Sequence, residues 1–271
     1  MSALPHVSPD WLLQRAEVDD RSRSLELARE TAALLPVGRQ VVHDLGSGSG
    51  AMMRWLAPQL PGPQRWVLHD ADASILEHRD PEPVIDASGL PVICRASVEP
   101  LAELDASMLA NATLVVASAL LDVITFAEAR TIVEACVELR VPVLFSLTVA
   151  GRVEFDPADV LDEQFVSAFN AHQRREVDGR RLLGPEATGI VASMLMDAGW
   201  HVRTVGTPWK LAPADGELIA EWLDGWLDAA VEQQSRLRGL ADGYRTNRRA
   251  QLAAGGLRVT VNHEDVLAWP A

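Results

Sequence analysis

VVHDLGSGSGAMMRWL, residues 41–56, is the most informative stretch of the sequence. An apolar run typical of a buried strand leads into Asp44, and three glycines follow at alternate positions, Gly46, Gly48 and Gly50, before a helix-like segment. Glycine lets the backbone turn tightly and approach a ligand that a Cβ atom would exclude. We therefore predict a ligand site at the carboxyl end of this strand.

Short apolar runs alternate with amphipathic segments on both sides of this turn. Strands that are apolar nearly throughout and are separated by helices predict a parallel, doubly wound sheet that is covered on both faces. The predicted strands are 40–45, 65–69, 91–96, 113–117, 141–147, 200–206 and 257–262, and the predicted helical segments are 11–35, 51–60, 73–79, 119–140, 185–198 and 214–254.

Composition limits the classes of function. The chain has 271 residues, of which 48% are hydrophobic and 23% charged, as in a globular protein with a substantial core. A net charge of −14 opposes binding to nucleic acid or to an anionic membrane. Cys94 and Cys136 have no metal-ligand spacing around them, so we expect buried thiols and no metal. With neither a long apolar run nor a signal-like start, we expect a cytoplasmic location and no membrane partner.

Two ligand classes use such a glycine turn. A dinucleotide would place its pyrophosphate on the helix N-terminus, and the spacing of Gly46, Gly48 and Ala51 admits it. Asp44 would repel a pyrophosphate but suits a ligand that carries an ammonium and a sulfonium. The charge favours S-adenosylmethionine over a dinucleotide.

The motif Asp44-x-Gly46-x-Gly48-x-Gly50, with Ser47 inside it, resembles the glycine motif of the class I S-adenosylmethionine-dependent methyltransferases. The resemblance extends in order across residues 40–147. It implies a Rossmann-like α/β fold with a doubly wound seven-stranded sheet whose last strand is antiparallel. It also implies an N-terminal helical cap at 1–38 and a main domain at 39–271, and the helical insertion 214–254 is an addition to the family pattern.

The resemblance assigns further cofactor contacts to the ends of the next strands. Asp70, followed by Ala71, stands where the family holds an acid that binds both ribose hydroxyls. The third strand is expected to end at Ala96 and Ser97, where the usual acid is missing. The fourth ends at Ser118, Ala119 and Leu120, which resemble the family's segment facing the cofactor and the acceptor.

Residues for the acceptor are harder to predict, because displacement at a sulfonium mainly needs alignment and exclusion of water. His172 is our first choice for a general base, although a solvated helix face explains it as well. Asp122 either faces the cavity or caps the following helix. Asn170 and Arg174 are four residues apart, which suits positioning of a substrate carbonyl or carboxylate.

Three other groups of residues have ordinary explanations beside functional ones. Arg15 and Arg23 reach the methionine carboxylate if the N-terminal segment forms a lid, but surface arginines are the simpler interpretation. Five arginines between 236 and 249 favour a solvated helix face over an RNA-binding patch. Trp222 and Trp226 lie on one helical stripe that is ordinarily core or a homodimer contact, and less often a lid over an aromatic substrate.

The sequence therefore predicts methyl transfer from S-adenosylmethionine to an oxygen, nitrogen or carbon of a small molecule, with S-adenosylhomocysteine as the product. Two alternatives stay open: an NAD(P)-dependent oxidoreductase that uses the same glycine turn, and a non-catalytic S-adenosylmethionine-binding protein.

Overall fold

The structure is a computed structural model, and it describes residues 8–77, 82–177 and 179–271. Its helices are α1 (Pro9–Ser22), α2 (Leu25–Leu34), α3 (Ala51–Leu56), α4 (Ala73–Glu77), α5 (Phe126–Leu139), α6 (Asp162–Gln173), α7 (Ala187–Asp197), α8 (Gly216–Gln233) and α9 (Arg238–Ala253). Its strands are β1 (Gln40–Leu45), β2 (Gln64–Asp70), β3 (Ile93–Val98), β4 (Leu114–Ser118), β5 (Val143–Asp156), β6 (Glu176–Val177), β7 (Arg180–Arg181), β8 (Trp200–Gly206), β9 (Trp209–Leu211) and β10 (Arg258–Pro270).

The main sheet has the strand order β3-β2-β1-β4-β5-β10-β8. The first five strands in this order pair in parallel, and β10 pairs antiparallel with both β5 and β8. The predicted fold is confirmed: a doubly wound seven-stranded sheet with an antiparallel last strand, N-terminal helices and a helical insertion before that strand. The short β9, which pairs with β10, is an eighth strand that the sequence pattern did not predict.

Both faces of the sheet are covered. On one face, the apolar side chains of α5 and α7 pack on those of β4 and β5. On the other face, α2 and α3 pack on β1 and β2, with Leu27, Leu56 and Trp66 fully buried. Burial on two faces explains why the central strands consist of nearly continuous apolar residues.

The strands β5 and β10, of 14 and 13 residues, run on past the carboxyl edge of the parallel sheet. Beyond this edge they pair with each other, and β9 joins β10. A third apolar cluster forms on this extension from α1, α6, α8 and α9, with Phe165, Trp226 and Tyr244 at its centre. The helical insertion therefore packs against the same edge of the sheet at which the glycine turn lies.

Several segment boundaries differ from the sequence prediction. The helical segment 11–35 is broken before Ser24, which caps α2 with its side chain while its backbone N–H donates to Asp265 Oδ2 at 2.9 Å. Strand β3 begins two residues later than expected, because Pro91 bridges to Ile85 and Val92 donates its backbone N–H to the carbonyl of Val84 at 2.9 Å, so both residues pair outside the main sheet. The last two residues of the predicted helix 73–79 lie outside the described residues.

Three of the five arginines of the insertion form ion pairs within the protein, so the insertion does not present a solvated arginine face throughout. Arg248 is completely buried, donates to Asp162, and lies over the ring of Phe155 at 4.5 Å from its centroid. Arg245 and Arg249 both pair with Asp224 on α8. None of the described helices is long and apolar enough to cross a membrane.

Candidate functional site

A cavity of about 590 Å³ opens at the carboxyl edge of the parallel strands. Its walls come from the glycine turn after β1, the ends of β2 and β4, the extension of β5 and β10, and helices α1, α6 and α8. Ligand sites of doubly wound sheets lie at this edge, where neighbouring connections diverge to opposite faces. The volume lies within the range usual for small-molecule sites.

The glycine turn has the backbone geometry that its sequence predicts. Gly46, Gly48 and Gly50 all have positive φ, at 62°, 53° and 82°. A Cβ on Gly46 would lie 2.7 Å from Leu120 Cδ1, so the first glycine also allows close contact with the segment after β4. Gly50 caps α3 and is not among the residues lining the cavity, whereas Gly46, Ser47 and Gly48 are.

Asp70, at the end of β2, is tied to this turn. Its Oδ2 accepts the backbone N–H of Gly48 at 2.9 Å, and its Oδ1 accepts that of Asp72 at 3.0 Å. The half-buried side chain lines the cavity beside Ala71. These two bonds fix the carboxylate in place while leaving lone pairs on both oxygens for ligand hydroxyls.

Asp44 is the most unusual residue in the cavity wall. Its side chain is fully buried, and neither carboxylate oxygen has a hydrogen-bond partner in the described part of the chain. Burial raises its pKa to about 8, while the charge of Arg23 lowers it and that of Asp70 raises it further. An unpaired buried carboxylate is costly unless a ligand brings the missing positive charge or donors.

The segment after β4 completes the wall opposite the glycine turn. Ser118, Ala119 and Leu120 all line the cavity. Ala119 has a φ of 53°, and Leu147 on the neighbouring strand has a φ of 54°, both in the left-handed region that non-glycine residues seldom adopt. The two strained residues face one cavity, a placement typical of functional sites. Buried Asp265 holds Leu147 by accepting its backbone N–H at 2.8 Å.

Asp122 faces the cavity and does not cap a helix. Helix α5 is capped by Thr125 and Glu128, which bond reciprocally. Asp122 lies in the short turn before it, is 7% exposed, and has an Oδ1 with no hydrogen-bond partner among the described residues. Burial raises the pKa of Asp122 to about 6. Hydrogen bonds from its own backbone and from the backbone of Val149, together with the charge of Arg15, lower the pKa and partly offset this rise. Near neutral pH this carboxylate is mostly ionised and can accept a proton.

His263 also lines the cavity, and the sequence analysis missed it. Its Nδ1 lies 3.0 Å from the carbonyl oxygen of Val261, so Nδ1 carries the proton and Nε2 is the acceptor. Burial and the charge of Arg15 lower its pKa to about 4. The side chain is directed by register shifts in β10 on either side of residues 263 and 264, which a single sequence does not reveal.

Arg15 of helix α1 and Arg23, which directly follows that helix, both line the cavity, and aspartates of α1 hold both side chains. Arg15 donates to Asp19 through Nε at 2.8 Å and Nη2 at 3.2 Å. Buried Arg23 donates to Asp20 at 2.5 Å and to Ser118 Oγ at 3.1 Å. Trp209 Nε1 donates to Asp19 at 3.0 Å, which ties α1 to β9. The simpler interpretation of both arginines as surface residues is therefore wrong.

The structure does not bring the two polar residues at the end of α6 to the cavity, although both lie in the described part of the chain. His172 Nε2 lies 3.1 Å from Glu232 on α8, and its Nδ1 lies 2.9 Å from an Arg175 nitrogen. Arg174 follows the end of α6 and pairs with Glu186. Asn170 does line the cavity and donates to the carbonyl of Gly151 at 2.7 Å, so it does not share a site with Arg174.

Ala96 and Ser97 lie within β3 and not after it, and neither is among the residues lining the cavity in the described ranges. The strand continues to Val98, and Glu99 follows with its backbone N–H bonded to the carbonyl of Asp70 at 3.1 Å. Glu99 follows the strand and is likewise not among the residues lining the cavity in the described ranges.

Comparison with solved structures finds the same fold elsewhere. A candidate type II methyltransferase from Anaeromyxobacter dehalogenans superposes with a TM-score of 0.55 at 14% identity, covering 92% of this chain and 98% of that chain. A cyclopropane-fatty-acyl-phospholipid synthase-like protein from Lactobacillus casei gives a TM-score of 0.51 at 13% identity, covering 99% and 96%. The likeness is one of fold. No protein-family model matches the sequence, and no relative among curated proteins was found.

Proposed function

We propose that this protein binds S-adenosylmethionine and transfers its methyl group to a small molecule. The observation that carries the proposal is Asp44, a fully buried carboxylate with two unpartnered oxygens in the cavity wall behind a left-handed glycine turn. A ligand ammonium would supply the charge and donors that this carboxylate lacks. The fold shared with a candidate methyltransferase is consistent with this.

The other residues at this end of the cavity fit the same ligand. Asp70, held by Gly48, has the orientation and free lone pairs to accept two ribose hydroxyl protons. Gly46 and Gly48 both line the cavity and have positive φ, so backbone without a Cβ atom borders the space for the ligand. Ser118 and Leu120 close the opposite side, and Ser47 has a buried hydroxyl in the wall. S-adenosylmethionine, when bound, supplies a methyl group on a positively charged sulfur. The sulfur leaves as a neutral thioether, so the leaving group needs no further activation.

The residues of the chain then align the acceptor and remove its proton. Asp122 is the base that we propose, because it is buried in the cavity wall, has an unpartnered oxygen and has a pKa of about 6. His263, neutral and with Nε2 as acceptor, is placed to orient a donor group of the acceptor molecule. The apolar walls exclude water from the reacting atoms.

The dinucleotide alternative meets a physical obstacle in this cavity. Asp70 and Asp72 line the cavity beside the glycine turn, and a pyrophosphate there would lie against both acidic side chains. We infer that the oxidoreductase is disfavoured for this reason. Asp122 argues against the non-catalytic alternative. A protein that only binds the cofactor needs no further buried acid with an unpartnered oxygen in the cavity wall besides Asp44.

A methyl-transfer assay tests the proposal. Purified protein is incubated with S-adenosylmethionine carrying a labelled methyl group and with a small-molecule extract, and label entering the extractable fraction is measured. Transfer that is lost in Asp122→Asn and retained in the surface control Asp197→Asn supports the enzyme. Cofactor binding without transfer would favour the non-catalytic alternative, and tight binding of NADH or NADPH in place of S-adenosylmethionine would overturn the proposal.

A further inference from the structure

We call one part of the cavity the inner chamber, namely the part lined by the extension of β5 and β10, by β9, and by α6 and α8. Most of its wall is apolar or aromatic, and the side chains that form it are Val149, Val153, Phe169, Trp209, Trp222 and Val261. No glycine-turn residue belongs to it. The inner chamber is therefore the space available to the acceptor once the cofactor occupies the turn.

Trp222 distinguishes the inner chamber from ordinary core. On the same stripe of α8, Ile219, Leu223 and Trp226 are buried in the apolar cluster, whereas Trp222 is half-buried and lines the cavity. Its ring stacks on that of Trp226 at 5.5 Å with an interplanar angle of 21°. The buried ring of Trp226 therefore packs behind the ring of Trp222, which forms part of the cavity wall. A flat aromatic ligand gains more from such a surface than a branched aliphatic one.

The charges around the inner chamber disfavour an anion. The arginines that line the cavity, Arg15 and Arg23, are each bound to an aspartate of α1. Asp122 is buried with an unpartnered oxygen, and His263 is neutral. A carboxylate or phosphate on the acceptor would face Asp122 with no uncommitted cation in the lining that the structure describes, whereas an O–H, an N–H or an ammonium would satisfy it.

We propose that the methyl acceptor is a compact aromatic molecule without an anionic group, which presents an O–H or N–H to Asp122, an inference that rests on the proposed function. The acceptor oxygen or nitrogen forms a bond to the methyl carbon, and the carbon–sulfur bond breaks with its electron pair remaining on sulfur. The proton of the acceptor passes to the Asp122 carboxylate. Products are the methylated aromatic compound, the thioether and a protonated Asp122, which balances atoms and charge.

Three ligands with one ring system test the inference: 2-naphthol, 2-naphthylmethylamine and 2-naphthoate. Each is titrated by calorimetry into the full chain saturated with S-adenosylhomocysteine. The alcohol and the amine are expected to bind at least about tenfold more tightly than the carboxylate, as expected for one desolvated charge contact. Tighter binding of 2-naphthoate, or binding of none of the three, overturns the inference.

Two variants locate the binding. Trp222→Leu is expected to weaken 2-naphthol by about tenfold, from the loss of ring stacking, and to leave S-adenosylhomocysteine affinity within about twofold. Trp269→Leu is the matched control, because Trp269 lies at the far end of β10 against His201. Asp122→Asn should weaken the amine by about tenfold and strengthen the carboxylate. Equal effects of the two tryptophan variants would contradict the assignment.

The same titrations separate this inference from the function on which it rests. If S-adenosylhomocysteine does not bind at all, the proposed function fails. If it binds, and 2-naphthoate still binds more tightly than 2-naphthol, only the aromatic, non-anionic acceptor is refuted and methyl transfer stands.

Discussion

The carboxylate of Asp70 accepts the backbone N–H of Gly48 at 2.9 Å. This bond joins the end of β2 to the middle of the glycine turn after β1. Two parts of the sequence that lie 22 residues apart therefore form one rigid wall of the cavity. We therefore expect a substitution at Asp70 to alter the position of the glycine turn, and a substitution in the turn to alter the position of the Asp70 carboxylate.

Asp44→Asn should stabilise the protein without ligand at high pH. Burial raises the folded-state pKa of Asp44 to about 8, above the ordinary 3.8. Between pH 3.8 and about 8 the native state therefore binds more protons than the unfolded state. The contribution of protonated Asp44 to stability is present at low pH and is lost as the pH rises through about 8. We expect the variant to be more stable by about 1–3 kcal/mol at pH 9 and equal at pH 4.

Chemical denaturation of both proteins across this pH range, without ligand, measures the difference. A pH-independent difference between wild type and Asp44→Asn would show that Asp44 is not held in a raised-pKa state.

Gly46→Ala should disrupt the glycine turn. Its φ of 62° is strained for alanine, and the new Cβ would lie 2.7 Å from Leu120 Cδ1. Gly89→Ala is the control, since Gly89 has a φ of 79° and no atom within 4 Å of such a Cβ. We expect about 1–2 kcal/mol of destabilisation from backbone strain in both, and a further loss of about 1–3 kcal/mol in Gly46→Ala alone. Thermal melts measure this, and equal losses would exclude close contact with Leu120.

The rate of methyl transfer should depend on the ionisation of Asp122. Because its pKa is raised to about 6, the base is protonated below that pH, and activity should fall about tenfold per pH unit there. Asp122→Asn should lower kcat by about 100-fold or more and flatten this limb of the profile. A variant that keeps the wild-type pH profile would exclude Asp122 as the base.

His172→Ala should leave kcat within about twofold of wild type. The ring bonds to Glu232 and Arg175 and does not line the cavity, so its loss affects only the contact between α6 and α8. The cost in stability should be at most about 1 kcal/mol, as for other partly exposed ion pairs. Steady-state kinetics decide the matter, and a loss of kcat comparable to that of Asp122→Asn would restore His172 as the general base.

The sequence predicted those parts of the site that depend on local pattern. Asp44, Gly46 and Gly48 belong to a single strand and turn, and the positive φ values of Gly46 and Gly48 are ones that glycine readily adopts. Asp70 and the antiparallel last strand were predicted from the family resemblance. The succession of strands and helices along the chain, including the late helical insertion, follows from apolar periodicity.

The remaining site residues depend on packing that no local pattern encodes. His263 faces the cavity because β10 shifts register twice, and Asp122 faces it because Thr125 takes over the cap of α5. His172 was an attractive base by type and position along the chain, but the insertion placed Glu232 beside it.

The central claim is that buried Asp44 binds the ammonium of the ligand, and a calorimetric cycle tests it most directly. Wild type and Asp44→Asn are each titrated with S-adenosylhomocysteine and with 5′-methylthioadenosine, which lacks the amino-acid portion. The substitution should weaken S-adenosylhomocysteine by about 1.5–3 kcal/mol, roughly 10- to 150-fold, and change 5′-methylthioadenosine by less than about threefold. Equal losses for the two ligands, or no loss for S-adenosylhomocysteine, would contradict the account.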